Sequence, residues 1–165
     1  MRSRSSVNRK IITLDELREK SERLRSAGKR VVATNGCFDI LHVGHVRYLA
    51  AARKLGDVLV VGLNGDSSVR QLKGEGRPVT PEQDRAEVLA ALESVDYVTI
   101  FPELRATNFL RAAQPLIYAK GGDYTADTLD LSERAVLAKL GAKIEIIPFE
   151  KGYSTSQLLT RIGKA

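Results

Sequence analysis

His42 and His45 are the only histidines in this 165-residue sequence, and they sit three positions apart. Residues at i and i+3 share one face of a helix, so both imidazoles can point at one object. A helix opening near Val43 presents free N–H groups and a positive dipole end, an arrangement that suits phosphate. Gly44, between the histidines, has no side chain and lets a ligand lie against the backbone. Lys73 precedes Gly74, Gly76 and Arg77 in an irregular stretch over 71–80; it reads either as a mobile cation for phosphates or as a solvated loop lysine. Ser154, Thr155 and Ser156 open the last helix, where hydroxyls cap helix amides or meet an anion. Together these groups describe a triphosphate site. Cys37 is the single cysteine, which excludes an intrachain disulfide and a cysteine-rich zinc site. No spare base is placed to activate it, so it reads as a small turn residue. No serine is placed for acyl transfer, and no carboxylate pair stands out as a glycosidase needs. Phosphoryl or nucleotidyl transfer rests on positioning and charge stabilisation, so an obvious nucleophile is not required.

The elements that must hold these residues follow from hydrophobic patterning. Residues 1–12 read as a flexible basic leader, and Thr13-Leu14-Asp15-Glu16 as a capping box opening an accessory helix over about 13–27, closed by Gly28. Val31 to Thr34 is a buried strand before the Asn35-Gly36 turn. The run from Asp57 to Leu63 is almost wholly apolar, as in a parallel strand covered on both faces. Asp66 is a candidate N-cap of a short helix, and Thr80-Pro81-Glu82-Gln83 restarts a helix with proline at its first position and a capping box closed by Gln83. Further strands are expected at 97–101, 115–119 and 143–148, with helices at 103–112 and 131–140. Alternating strands and helices predict one Rossmann-like, doubly wound α/β domain over 13–165, with a five-stranded, mainly parallel sheet. Ligands bind such sheets beyond the carboxyl ends of the strands. The segments 35–45, 64–77, 120–124 and 150–156 all follow a strand, so they converge on one site.

Bulk properties narrow the function further. Hydrophobic content of 43% and charged content of 28% are ordinary for a globular domain. No apolar run approaches a membrane span, and the N-terminus lacks the apolar core of a secretory signal; the cytoplasm is the expected compartment. Net charge is +6, but Arg2, Arg4, Arg9 and Lys10 lie in the first ten residues without an acid. With five tyrosines, four phenylalanines and no tryptophan for stacking, nucleic acid and membrane are not expected partners.

The stretch Asn35-Gly-Cys-Phe-Asp-Ile-Leu-His-Val-Gly-His45 resembles the (T/N)-G-x-F-D-x-x-H-x-G-H motif of the cytidylyltransferase-like nucleotidyltransferases. The resemblance runs from about residue 30 to the C-terminus. It implies that His42 and His45 stabilise charge on the phosphates with Lys73, and that Asn35, Gly36, Cys37, Phe38, Gly44 and Gly122 border the nucleotide. Glu150 to Ser156 is similar to the family's R-x-x-G-x-S-T-T motif, whose hydroxyls hold the β- and γ-phosphates. Phe149 stands at the arginine position and Ser156 at the last threonine, so only the hydroxyl roles of Ser154, Thr155 and Ser156 carry over. No protein-held metal is expected; Mg²⁺ is expected on the triphosphate itself, keeping its waters.

Three stretches narrow the branch. Leu72-Lys73-Gly74 with Arg77-Pro78-Val79, Lys120-Gly121-Gly122-Asp123-Tyr124 and Phe149-Glu-Lys-Gly-Tyr-Ser-Thr resemble the adenylyltransferase domain of bifunctional heptose-7-phosphate kinase/heptose-1-phosphate adenylyltransferases. The implied reaction is ATP plus D-glycero-β-D-manno-heptose 1-phosphate giving ADP-heptose and pyrophosphate. With no kinase domain before residue 1, a stand-alone version is expected. Asp39 and Asp123 are candidates for sugar or ribose hydroxyls, Lys73 and Arg77 for the substrate, and Tyr124 for a ligand wall or packing. Asn64 and Asp66 line the nucleotide side or simply form a turn, and Arg85 pairs with a helix acid or joins the site. The resemblance also implies a homodimer. Two alternatives stay open: a cytidylyltransferase for another small phosphate such as glycerol 3-phosphate, and a nucleotide- or RNA-binding module without turnover.

Overall fold

Five strands, β1 (Val31–Gly36), β2 (Val58–Asn64), β3 (Tyr97–Phe101), β4 (Ile117–Gly121) and β5 (Lys143–Ile147), pair in the order β3-β2-β1-β4-β5. Every pairing is parallel, where the sequence predicts a mainly parallel sheet. The computed structural model describes residues 4–125, 127–148 and 150–164, with backbone alone for Arg4 and Ser5. Among these residues the helices are α1 (Arg4–Asn8), α2 (Leu14–Ser26), α3 (Val43–Arg53), α4 (Asp66–Lys73), α5 (Glu82–Ala90), α6 (Thr107–Ala113), α7 (Leu131–Leu140) and α8 (Thr155–Ile162).

Side-chain alternation along the strands divides the core into two layers. On one face Val32, Leu59, Val61, Val98 and Ala119 meet Leu49 and Ala52 of α3 and Ala86, Leu89 and Ala90 of α5. On the other, Val31, Ala33, Val60 and Tyr118 meet Leu17 of α2, Phe109 and Leu110 of α6, and Val136 and Leu137 of α7. Burial on both faces explains why β2 reads as a continuous apolar run rather than an alternating one.

Local signals behave as their chemistry dictates at both ends of α2. Thr13 Oγ1 accepts from Glu16 N at 3.2 Å, and Glu16 Oε2 accepts from Thr13 N at 2.8 Å. Beyond the helix, Gly28 takes φ +72° and Lys29 N donates to Leu24 O, a Schellman closure.

Four local readings are corrected. The expected leader over 1–12 is built into the fold from residue 4. Val98 N donates to Lys10 O, Ile12 N donates to Val98 O, and Val7 and Ile11 pack on the core, because β3 would otherwise leave an open sheet edge. The Lys10 ammonium donates to the carbonyls of Leu92 and Val95 just past α5, so part of the N-terminal charge is structural. Asp66 is the first residue of α4 rather than its cap; Gly65 is the cap, and Asp66 N is satisfied by Glu82 Oε2 at 2.7 Å. Pro81 caps α5 without a side-chain bond, because Thr80 N is already committed to Asp39. Helix α4 also runs through Lys73, which places that lysine on a helix end instead of a free loop.

Candidate active site at the strand switch point

The strand order reverses between β1 and β4, since β2 and β3 lie to one side and β5 to the other. In such sheets ligands bind beyond the carboxyl ends of the strands at that point. Asn35 and Gly36 end β1 on one side of it, and Lys120 and Gly121 end β4 on the other.

His42 occupies the N-cap of α3 and His45 its first turn. Their rings stack at 3.9 Å between centroids, and the Phe38 ring meets His45 edge-on at 5.4 Å. Phe38 is buried at φ +44°, a strained conformation for a side chain of that size. His42 N donates to His45 Nδ1 at a long 3.4 Å, which places the proton of the neutral His45 ring on Nε2. Burial, reinforced by the neighbouring His42, pulls His45 down to about 4, and burial also lowers His42. Near neutral pH both rings are therefore uncharged N–H donors. The unfolded chain binds a proton at His45 near the ordinary 6.5 that the folded chain refuses until about 4. Stability is thus expected to fall as pH drops from about 6.5 toward 4, by about 2 kcal/mol after allowing for partial exposure. Urea midpoints measured across that window check it, and His45→Gln should flatten the profile.

Gly44 is small for a second reason. A Cβ there would lie 2.9 Å from the His42 ring and 3.0 Å from Tyr153 Cβ. Tyr153 stacks beside His42 at 6.4 Å, with the Arg47 guanidinium 5.8 Å from the Tyr153 ring centre and Arg47 paired to Glu150. The bare glycine thus seats the His42 ring against the loop before α8. Gly44→Ala is expected to displace His42 and lower turnover by at least about tenfold. The helix-propensity gain of about 1 kcal/mol is offset by overpacking of about 1–3 kcal/mol. Steady-state pyrophosphate release and a melting curve test both halves.

Helix α8 points its N-terminus at the same place. Ser154 Oγ caps it by accepting from Gln157 N at 3.1 Å, and Thr155 Oγ1 donates to Ile40 O at 3.2 Å, tying α8 to the histidine loop. Ser156 is exposed. A cavity of about 240 Å³ between His42, Val43, Tyr153, Gln157 and Arg161 is large enough for only part of a nucleotide.

At the β1 turn the charges are organised around Cys37. Burial pushes its thiol up, against the pull of Lys73, Arg85 and Arg77, so it is no activated nucleophile. Asp39 is almost fully covered, and its carboxylate accepts from Arg77 Nε at 2.6 Å, Thr80 N at 3.0 Å and Val79 N at 2.9 Å. Burial alone would raise this carboxyl; the Thr80 and Val79 amides and Arg77 hold it below the usual range. Both oxygens of Asp39 hold the 77–80 loop. Arg85 is buried and donates to Thr80 O at 2.8 Å, Cys37 O at 2.6 Å, Asn64 O at 2.9 Å and Asp66 Oδ1 at 2.6 Å.

On the β4 side, Tyr118 Oη donates to Asn35 Oδ1 at 2.5 Å. The Lys120 ammonium lies 5.5 Å from the Tyr118 ring centre and 4.8 Å from that of Tyr124. Gly122 and Asp123 are exposed beside it.

A family model described as cytidylyltransferase-like matches residues 33–161, a span holding the histidine loop, the switch point and α8 through Arg161. The chain belongs to the cytidylyltransferase-like family. It is a nucleotidyltransferase. Among relatives, the Bifunctional protein HldE of Pelobacter propionicus is 48% identical over 158 residues, covering 96% of this chain and 32% of that protein. The Bifunctional protein HldE of Citrifermentans bemidjiense is 50% identical over 153 residues, covering 93% and 31%. The chain thus spans about a third of the length of these relatives. A crystal structure of the lipopolysaccharide core biosynthesis protein from Thermoplasma volcanium superposes with a TM-score of 0.62 at 32% identity, covering 77% of this chain and 100% of that one. Among the described residues no helix is long and apolar enough to cross a membrane.

Within this cytidylyltransferase-like chain the structure brings most of the sequence candidates to the carboxyl end of the sheet around the switch point. His42, His45, Phe38, Gly44, Ser154 and Thr155 gather at the two helix N-termini. Cys37, Asp39, Arg77 and Lys73 lie around the β1 turn, while Asn35, Gly122, Asp123 and Tyr124 face or flank β4. Phe149, at the missing arginine, lies outside the described residues. The sequence leaves Arg85 undecided between an ion pair and the site, and it assigns no role to Lys120, Tyr118 or Tyr153. Lys120 and Tyr153 lie inside quoted motifs, so a signal exists for them; Tyr118 reads only as strand.

Proposed function

We propose that the protein transfers AMP from ATP to D-glycero-β-D-manno-heptose 1-phosphate, releasing pyrophosphate and forming ADP-heptose. The observation that carries the transfer is the stacked, uncharged His42–His45 pair at the start of α3, facing the capped start of α8. A phosphate oxygen of the acceptor attacks the α-phosphorus in line; the new O–P bond forms as the bond to the β-phosphate oxygen breaks. Negative charge grows on the α-phosphate oxygens and the leaving pyrophosphate. His45 Nε2–H and His42 donate to that charge as preorganised dipoles, and Lys73, exposed at the end of α4, neutralises phosphates as they arrive. Ser154, Thr155 and the α8 amides supply further donors.

Mg²⁺ fits as a passenger on the triphosphate. Asp39 and Asp66 are already paired with arginines. Bound to the nucleotide, Mg²⁺ would screen its charge while keeping most of its waters.

The adenine and the heptose rest on the Leu72-Lys73-Gly74, Lys120-to-Tyr124 and Glu150-to-Thr155 resemblances and on the identity to proteins named Bifunctional protein HldE. A cytoplasmic homodimer is part of the same proposal. Pyrophosphate release is measured with ATP or CTP crossed against heptose 1-phosphate and glycerol 3-phosphate. Turnover confined to ATP with heptose 1-phosphate supports the assignment. Turnover with CTP overturns the substrates and keeps the chemistry, and nucleotide binding without turnover of any pair overturns the transfer.

A further inference from the structure

The four cations nearest the β1 turn are not equivalent. Arg77 is paired with Asp39 and Arg85 with Asp66. Lys73 is exposed and solvated. Lys120 is different: it is 8% exposed, yet its ammonium makes no hydrogen bond or ion pair with any described residue and only faces the rings of Tyr118 and Tyr124. Burying an ammonium without an anion is costly. Cation–π contacts recover part of that cost, and the charge of buried Glu133, whose Oε1 accepts from Ala106 N at 2.8 Å, recovers a further part without forming an ion pair. Such a group is poised for an anion that arrives from outside.

Its position says which anion. Strand alternation puts Lys120 near the Tyr118 ring at the end of β4, whereas the histidines belong to α3 beyond the end of β1. The two sets of donors stand beyond the carboxyl ends of adjacent strands. A transfer between two phosphorylated substrates brings together two anions, and the histidine pair with α8 already serves the triphosphate. We propose that Lys120 is a binding residue for the phosphate of the acceptor, holding it beside the α-phosphorus. This rests on the transfer reading above.

Lys120→Met and Lys120→Arg test it, with the substrates varied in turn. Lys120→Met is expected to raise KM for heptose 1-phosphate about tenfold or more while KM for ATP moves less than about twofold, and Lys120→Arg to restore part of the loss. The melting temperature of Lys120→Met should hold, because the ammonium it removes makes no hydrogen bond or ion pair with a described residue. Unchanged KM values, a rise confined to ATP, or a lowered melting temperature with both KM values rising together would overturn the proposal. If the unaltered protein turns over no acceptor, the transfer reading fails on its own. Inorganic phosphate then judges Lys120 separately: a melting shift in the unaltered chain that Lys120→Met abolishes supports the anion site, and equal shifts or none overturn it.

Discussion

His45→Ala should lower kcat by about two to three orders of magnitude, the loss typical for removing one donor aimed at developing charge. The Nε2–H of His45 is the group at stake, because its Nδ1 is turned to the His42 amide. The loss should fall on kcat more than on KM for ATP, since the charge it meets grows mainly in the transition state. His45→Gln offers an amide N–H near the position of Nε2 and should retain more activity than alanine. His42→Ala is expected to fall by a similar factor. With the two rings stacked at 3.9 Å as one unit, the double variant should lose little more than either single one. Single-turnover pyrophosphate release at saturating ATP is the deciding measurement. Retention of more than about a tenth of the rate by both single variants would remove the histidines from the chemistry.

Arg85→Met should cost about 3–5 kcal/mol of stability, because it takes the donor from three carbonyls at about 1–3 kcal/mol each. The guanidinium bonds the carbonyls of Thr80, Cys37 and Asn64 as well as Asp66. Its removal leaves three carbonyls and a carboxylate without their donor and unties the turn after β1 from the end of β2. Arg85→Lys would not repair this, because one ammonium lacks the planar fork that spans several acceptors. The partly exposed Asp66 can turn to water, so Asp66→Asn added to Arg85→Met should recover only a small part. Urea unfolding gives the free energies. A loss under about 1 kcal/mol would show that these bonds are replaced by water as readily as they are made.

Arg85 also marks where reading along the chain stops. The helix pattern around it, with Ala86, Leu89 and Ala90 on the buried face, is legible because a 3.6-residue period is a property of neighbours in sequence. Its acceptors are 5, 48, 21 and 19 residues away, and no local pattern encodes such distances. The same division runs through the site. The α3 histidine pair, the α2 capping box, the Ser154 cap and the β3 and α7 boundaries depend on spacings of a few residues, and the sequence shows them. Residues 1–12 read as a flexible leader because they are basic without an acid; from residue 4 they join the fold because an open edge of β3 was there to be covered.

By itself, then, the sequence determined a doubly wound α/β chain carrying two histidines at a helix start, and the motifs that tie it to a nucleotidyltransferase family. Only the tertiary structure decided that Asp39 holds a loop, that Gly44 leaves room for the His42 ring and that Lys120 is buried without an ion pair. The first group follows from periodicity and local hydrogen bonds, which act between near neighbours. The second follows from which strand ends the β3-β2-β1-β4-β5 order brings together, and that is settled by the packing of the whole chain.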